Sequence, residues 1–80
     1  MEKYTATFKG EFLQMHWTKE IMAESLCEAQ KIALESIGIK NITMLNENKN
    51  YKIYMPTNDL VQMDFMKDGK RFMRVTVNKD

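Results

Sequence analysis

Only one stretch of this chain spaces its apolar residues as a helix does. Leu26, Ala29, Ala33 and Ile37 form a stripe, with Ile32 and Leu34 at its margins. Ser25-Leu26-Cys27-Glu28 marks the start of the stripe, a serine followed three residues later by glutamate. The serine oxygen can accept from an orphan backbone N–H, and the glutamate can reach back to the cap. Gly38 stands where the residue after a helix end should be, since glycine enters the left-handed region without steric cost. The spacing predicts a helix from about Leu26 to Ile37, and its two alanines predict close approach to a sheet. Glu28, Lys31 and Glu35 lie towards the other side, spaced for weak surface pairs.

The remaining apolar residues alternate. Tyr4, Ala6 and Phe8 share one face of a strand over Thr5–Lys9. After a turn at Gly10-Glu11, Leu13, Met15, Trp17 and Ile21 share a face over Phe12–Met22, with His16 on the other face and Lys19 interrupting the apolar one. These two strands make an N-terminal hairpin. Beyond Gly38, short strands are predicted over Lys40–Leu45 (Ile42 and Met44 on one face), Tyr51–Met55, Val61–Phe65 and Met73–Val77. The polar run Asn46–Asn50, the Pro56-Thr57-Asn58-Asp59 segment and Asp68-Gly69 separate them. Asp-Gly suits the two positive-φ positions of a type I′ hairpin. The expected fold is an α+β domain of order β-β-α-β-β-β-β: a mostly antiparallel sheet with one helix packed on one face. The other face would carry Phe12, His16, Tyr54, Phe72 and Arg74. Open strand edges invite pairing with another chain.

Composition narrows the function. Eighty residues make one domain, 1–80, because a second core would have too little apolar side chain to bury. Twelve basic and eleven acidic residues give a formal charge of +1, which excludes a strongly acidic DNA mimic and a globally basic coat protein but leaves room for a local basic patch. A single cysteine, Cys27, makes no internal disulfide, so a reducing cytoplasm is the expected address. No apolar run approaches the ~20 residues of a membrane span, and the first residues read as a strand and not as a signal peptide, so no membrane partner is expected. Eight methionines fit either irregular core filling or an adaptable binding surface.

No pattern of reactive residues points to catalysis. Cys27 is the one thiol and His16 the one imidazole, too few for a nucleophile with its base and orienter or for a zinc site. Asn46–Asn50 lacks the later ligands of a calcium loop, and Gly10, Gly38 and Gly69 are scattered rather than gathered into a phosphate loop. A non-enzyme without a cofactor is expected. The basic residues are more informative. Lys67, Lys70, Arg71 and Arg74 cluster around the last hairpin with Phe72 between them, and Asp64 and Asp68 dilute them. Such a group suits a soluble hairpin tip, an acidic protein surface or a nucleic-acid backbone. If the alternation holds, Lys70, Phe72 and Arg74 meet a partner on the open face and Arg71 projects from the other.

Two segments carry a resemblance: Glu24-Ser25-Leu26-Cys27-Glu28-Ala29-Gln30-Lys31-Ile32-Ala33, running into Ile42-Thr43-Met44, and Lys67-Asp68-Gly69-Lys70-Arg71-Phe72. Together they resemble a family of small phage-type single-helix β-sheet proteins that includes a short anti-CRISPR inhibitor of type I-F surveillance complexes. The resemblance implies a phage or mobile-element protein that occupies the nucleic-acid groove of a host nucleoprotein. It implies contacts through Lys31, Lys70 and Arg71. The leading expectation is therefore a non-catalytic inhibitor of a host ribonucleoprotein, acting by steric occlusion through Lys31, Tyr54, Lys67, Lys70, Arg71, Phe72 and Arg74. Two alternatives stand beside it: a small nucleic-acid-binding domain stacking bases on Phe72 and Tyr54 beside Arg74, or a phage structural protein that dimerises through a sheet edge.

Overall fold

The computed structural model describes residues 1–10, 16–39 and 50–80. Their elements run β1 (Glu2–Gly10), β2 (His16–Ala23), α1 (Leu26–Ser36), β3 (Tyr51–Thr57), β4 (Leu60–Lys67) and β5 (Lys70–Lys79). The five strands form one sheet of order β2-β1-β5-β4-β3, antiparallel at every pairing, with the helix against one face. This is the expected α+β layering. The strand anticipated over Lys40–Leu45, the turn residues before Asn50, and Phe12, Leu13 and Met15 lie outside the described residues.

Local chemistry fixes the helix ends. Ser25 is extended, and its Oγ accepts from the Glu28 N–H at 3.2 Å. At the other end Gly38 has φ +89°. Its N–H donates to the Glu35 carbonyl at 3.1 Å, and the Ile39 N–H donates to the Leu34 carbonyl at 3.0 Å. This crossed pair is a Schellman ending, and Leu34 and Ile39 both belong to the apolar cluster that such an ending joins. Ala29 and Ala33 are wholly buried, so the helix backbone sits close over β2, β1, β5 and β4. It makes no contact with β3.

The register explains the core. One cross-strand row runs Ile53, Met63, Val75, Phe8, Trp17. Its three central members are fully buried, and its ends, Ile53 and Trp17, are the exposed rims. Trp17 lies flat on Phe8, ring centroids 5.0 Å apart and planes 13° apart. Tyr4, Ala6, Ile21, Ala23, Val61, Phe65 and Val77 complete the sheet's inner face. Burying a Val- or Phe-sized side chain stabilises by about 1.5–3 kcal/mol, which is what fixes each strand's phase.

Strand ends depart from expectation where tertiary pairing decides them. β3 continues through Pro56 to Thr57 instead of stopping at Met55. It is the outermost described strand, where a missing N–H is tolerated, and its pairing with β4 shifts between Tyr54 and Thr57. The β4–β5 turn takes Asp68 at φ 54° and Gly69 at φ 78°, as the Asp-Gly signal requires. A second irregularity follows it. Phe65 pairs with Met73 but Met66 pairs with Arg71, so Phe72 is one extra residue in β5.

Candidate interaction face

That extra residue redistributes the basic cluster. On either side of a bulge the alternation changes phase, so Arg71 and Arg74, three apart, come to share the face opposite the helix. Both reach Asp64. The Arg74 Nε and Nη2 donate to its two carboxylate oxygens at 2.7 and 3.3 Å, and Arg71 Nη1 lies 4.0 Å from Oδ2. Phe72 instead packs against the core, and Lys70 borders the same hollow as Phe72. The expectation that Lys70, Phe72 and Arg74 share the open face is thus corrected; the bulge, invisible to simple alternation, is the cause. Lys67, Asp68, Lys70 and Phe72 line a hollow of about 670 Å³ at the hairpin end.

The other expected residues separate. Lys31 is exposed on α1, across the sheet from the two arginines. Tyr54 is 63% exposed on β3 and stands in a row with Gln62, Thr76, Thr7 and Thr18. The expected set therefore divides between the open face, the hairpin end and the helix, and it is not one site.

The register assembles a different constellation. Read across the sheet, the row next to Tyr54 is Lys52, Asp64, Arg74, Lys9, His16. It draws on all five strands, and Arg71 and Met66 adjoin it one row towards the hairpin end. Among the described residues, four permanent cations thus share a band with one carboxylate. Strands ~4.8 Å apart give such a row a length of ~19 Å. Lys9, His16 and Lys52 are exposed and form no ion pair among the described residues. The opposite end of the same face is neutralised. Lys3 contacts Glu20 at 2.9 Å and Asp80 at 3.8 Å, and Thr5 donates to Asp80 at 2.6 Å. Between the two ends lies the row of hydroxyls and amide that Tyr54 terminates. The sheet's open face is therefore polarised along its strands, from basic to balanced.

Sequence reasoning missed Lys9, His16 and Lys52 as members of one group. Alternation did place His16 on the face opposite the apolar one. Strand order and register, which bring β1 between β2 and β5, carried the rest.

Chemically, the band can attract an extended anionic surface. Among the described residues no three His, Cys, Asp or Glu side chains stand together as a metal site, and no helix is long and apolar enough to cross a membrane. Cys27 is exposed in the first turn of α1. No protein-family profile, curated sequence or solved structure matches this chain.

Proposed function

We propose that this chain is a non-catalytic phage or mobile-element protein that binds a host defence nucleoprotein in the host cytoplasm and blocks it by occupying its nucleic-acid groove. The observation that carries the reading is the basic band on the open sheet face: among the described residues, Lys9, Lys52, Arg71 and Arg74 stand around one carboxylate on a sheet with no helix over that side. A rigid surface loses little conformational freedom on docking, and clustered cations steer an acidic or phosphate-bearing partner. The resemblance of the capped helix and the Asp68-Gly69 hairpin to single-helix phage inhibitors supports the choice of partner, with a type I-F surveillance complex as the first to test.

A direct nucleic-acid binder is the second reading. The placement of Phe72 against the core weighs against it, because base stacking needs aromatic rings on the charged face and, among the described residues, Tyr54 alone is left there at the edge. The test is target-DNA binding by a purified type I-F surveillance complex, with and without the protein. We expect the wild-type chain to block binding, the Lys9→Glu, Lys52→Glu double variant to lose the block, and Lys67→Glu with Lys70→Glu to keep it. Unimpeded DNA binding in the presence of the folded wild-type chain rules out this complex as the target. Direct capture of single-stranded DNA, abolished by the same double variant, replaces the first reading with the second.

A further inference from the structure

The hollow at the hairpin end is separate from the basic band. Among the described residues Lys67, Asp68, Lys70 and Phe72 line it, and its volume is about 670 Å³. That is the size of a small-molecule site, in which a few polar groups converge beside an apolar wall.

Two features of this wall work against the hairpin's own stability. Lys67 and Lys70 pair directly across the Asp68-Gly69 turn. Like charges opposite each other weaken an antiparallel pair, whereas opposite charges support it. Both lysines are exposed, and neither forms an ion pair among the described residues, Asp68 included. The second feature is the bulge. It leaves Phe72 unpaired in the ladder, packs it against the core and also sets it at the hollow. A bulge interrupts pairing and re-aims a side chain, and bulges recur beside functional sites.

Each lining group suits one part of one ligand. Two neighbouring ammoniums match a dianion better than a single carboxylate, and a phosphomonoester carries a charge of about −1.5 to −2 at neutral pH on three acceptor oxygens. Phe72 offers an apolar surface to a ring. Asp68 accepts hydrogen bonds and repels a second anionic group, so the ligand needs a donor away from its phosphate. A simple aryl phosphate has no such donor, and a nucleoside triphosphate brings anionic charge in excess of two lysines. We propose that the hollow binds a nucleoside monophosphate. Its phosphate sits between Lys67 and Lys70, its base lies along Phe72, and a ribose hydroxyl or base amino group donates to Asp68. The inference does not depend on the partner of the open face.

The experiment is a titration of the whole chain at low ionic strength, read from the amide chemical shifts. Adenosine monophosphate is the probe, with phenyl phosphate, inorganic phosphate and adenosine as controls. We expect the probe to shift the amides from Lys67 to Phe72 with a Kd of about 0.1–1 mM, and each control to bind about ten-fold more weakly or worse. Lys67→Gln with Lys70→Gln removes the opposed charges. It should fold at least as stably as the wild type, with unchanged circular dichroism, and lose about ten-fold in affinity. Lys9→Glu with Lys52→Glu, on the open face, should bind the probe as the wild type does. No shift at about 10 mM probe overturns the proposal, and so does any control that binds as tightly as the nucleotide. Unchanged affinity in the folded glutamine variant also overturns it. Loss of binding in the open-face variant does the same, since the anion would then sit on the basic band.

Discussion

Arg74 and Asp64 stand directly opposite each other on β5 and β4, and two guanidinium nitrogens of Arg74 meet the two carboxylate oxygens at 2.7 and 3.3 Å. The pair lies within the basic band, and Asp64 is that band's one carboxylate among the described residues. It holds the arginine flat along the sheet and also subtracts from the charge that a partner meets. Asp64→Asn should therefore have opposite effects on folding and binding. With side chains 34% and 20% exposed, the pair is worth about 1 kcal/mol of stability. Affinity for an anionic partner should rise, with a steeper fall as salt is added. Urea denaturation and binding titrations between low and moderate salt check both halves, and weaker binding by a folded Asp64→Asn protein would show that the partner reads the carboxylate.

The helix ends should respond differently to one substitution each. Ser25→Ala removes the acceptor for the Glu28 N–H and should cost about 1 kcal/mol. Gly38→Ala places a Cβ in open space, yet the residue sits at φ +89°. Its cost, also about 1 kcal/mol, is purely conformational. Gly38→Asn should recover part of it, since asparagine tolerates that region. Denaturant midpoints of the four proteins decide the matter.

Phe8 and Trp17 are neighbours with unequal weight. Phe8 is wholly buried, and Phe8→Ala should cost about 3–5 kcal/mol, enough to unfold much of a domain this small. Trp17 is 39% exposed and covers Phe8 from the rim, so Trp17→Ala should cost about 1–2 kcal/mol. Since Trp17 is the single tryptophan, its fluorescence reports the β1–β2 pairing directly. In the wild-type chain that signal and far-ultraviolet circular dichroism should melt together; an earlier fluorescence transition would mean that β2 detaches first.

One corner of the sheet sets the alkaline limit. Hydrogen bonding and charge from Glu20 hold the Lys3 ammonium above its ordinary value of 10.5, and Glu2 does the same for Lys79. Burial raises the Tyr4 hydroxyl above 10.0, with the Glu2 charge adding to it. In each case the folded chain keeps its proton longer than the unfolded one. The stabilisation is complete below the unfolded value and is lost as pH rises through the folded one. The melting temperature should therefore be insensitive to these groups up to about pH 9 and fall above about pH 10. Lys3→Met with Lys79→Met should flatten that fall, as a thermal melt series in alkaline buffers would show.

Much of this architecture was legible from local signals. Ser25, Glu28 and Gly38 bracket the helix because capping is a matter of a few neighbouring atoms. Asp68-Gly69 announces its turn because only certain residues accept positive φ. The alternation of Tyr4, Ala6 and Phe8, or of Val75 and Val77, places the buried face correctly. The candidate site was less legible. One unpaired register step at Phe72 reverses the phase of β5, and nothing in Lys70-Arg71-Phe72-Met73 signals it. The basic band depends on β1 lying between β2 and β5, a long-range choice made by packing rather than by any residue's own preference. Lys9 and Lys52 are 43 positions apart and acquire a common role only through that order.

The band's origin in five separate strands has a consequence for how it is recognised. No contiguous peptide of the chain contains it, since His16, Lys9, Arg74 and Lys52 are brought into line by the ladder alone. A ligand that reads the band reads a conformational epitope. Peptide arrays of the whole sequence should fail to reproduce binding, heat-denatured protein should lose it completely, and the ligand should raise the melting temperature with the logarithm of its concentration over Kd.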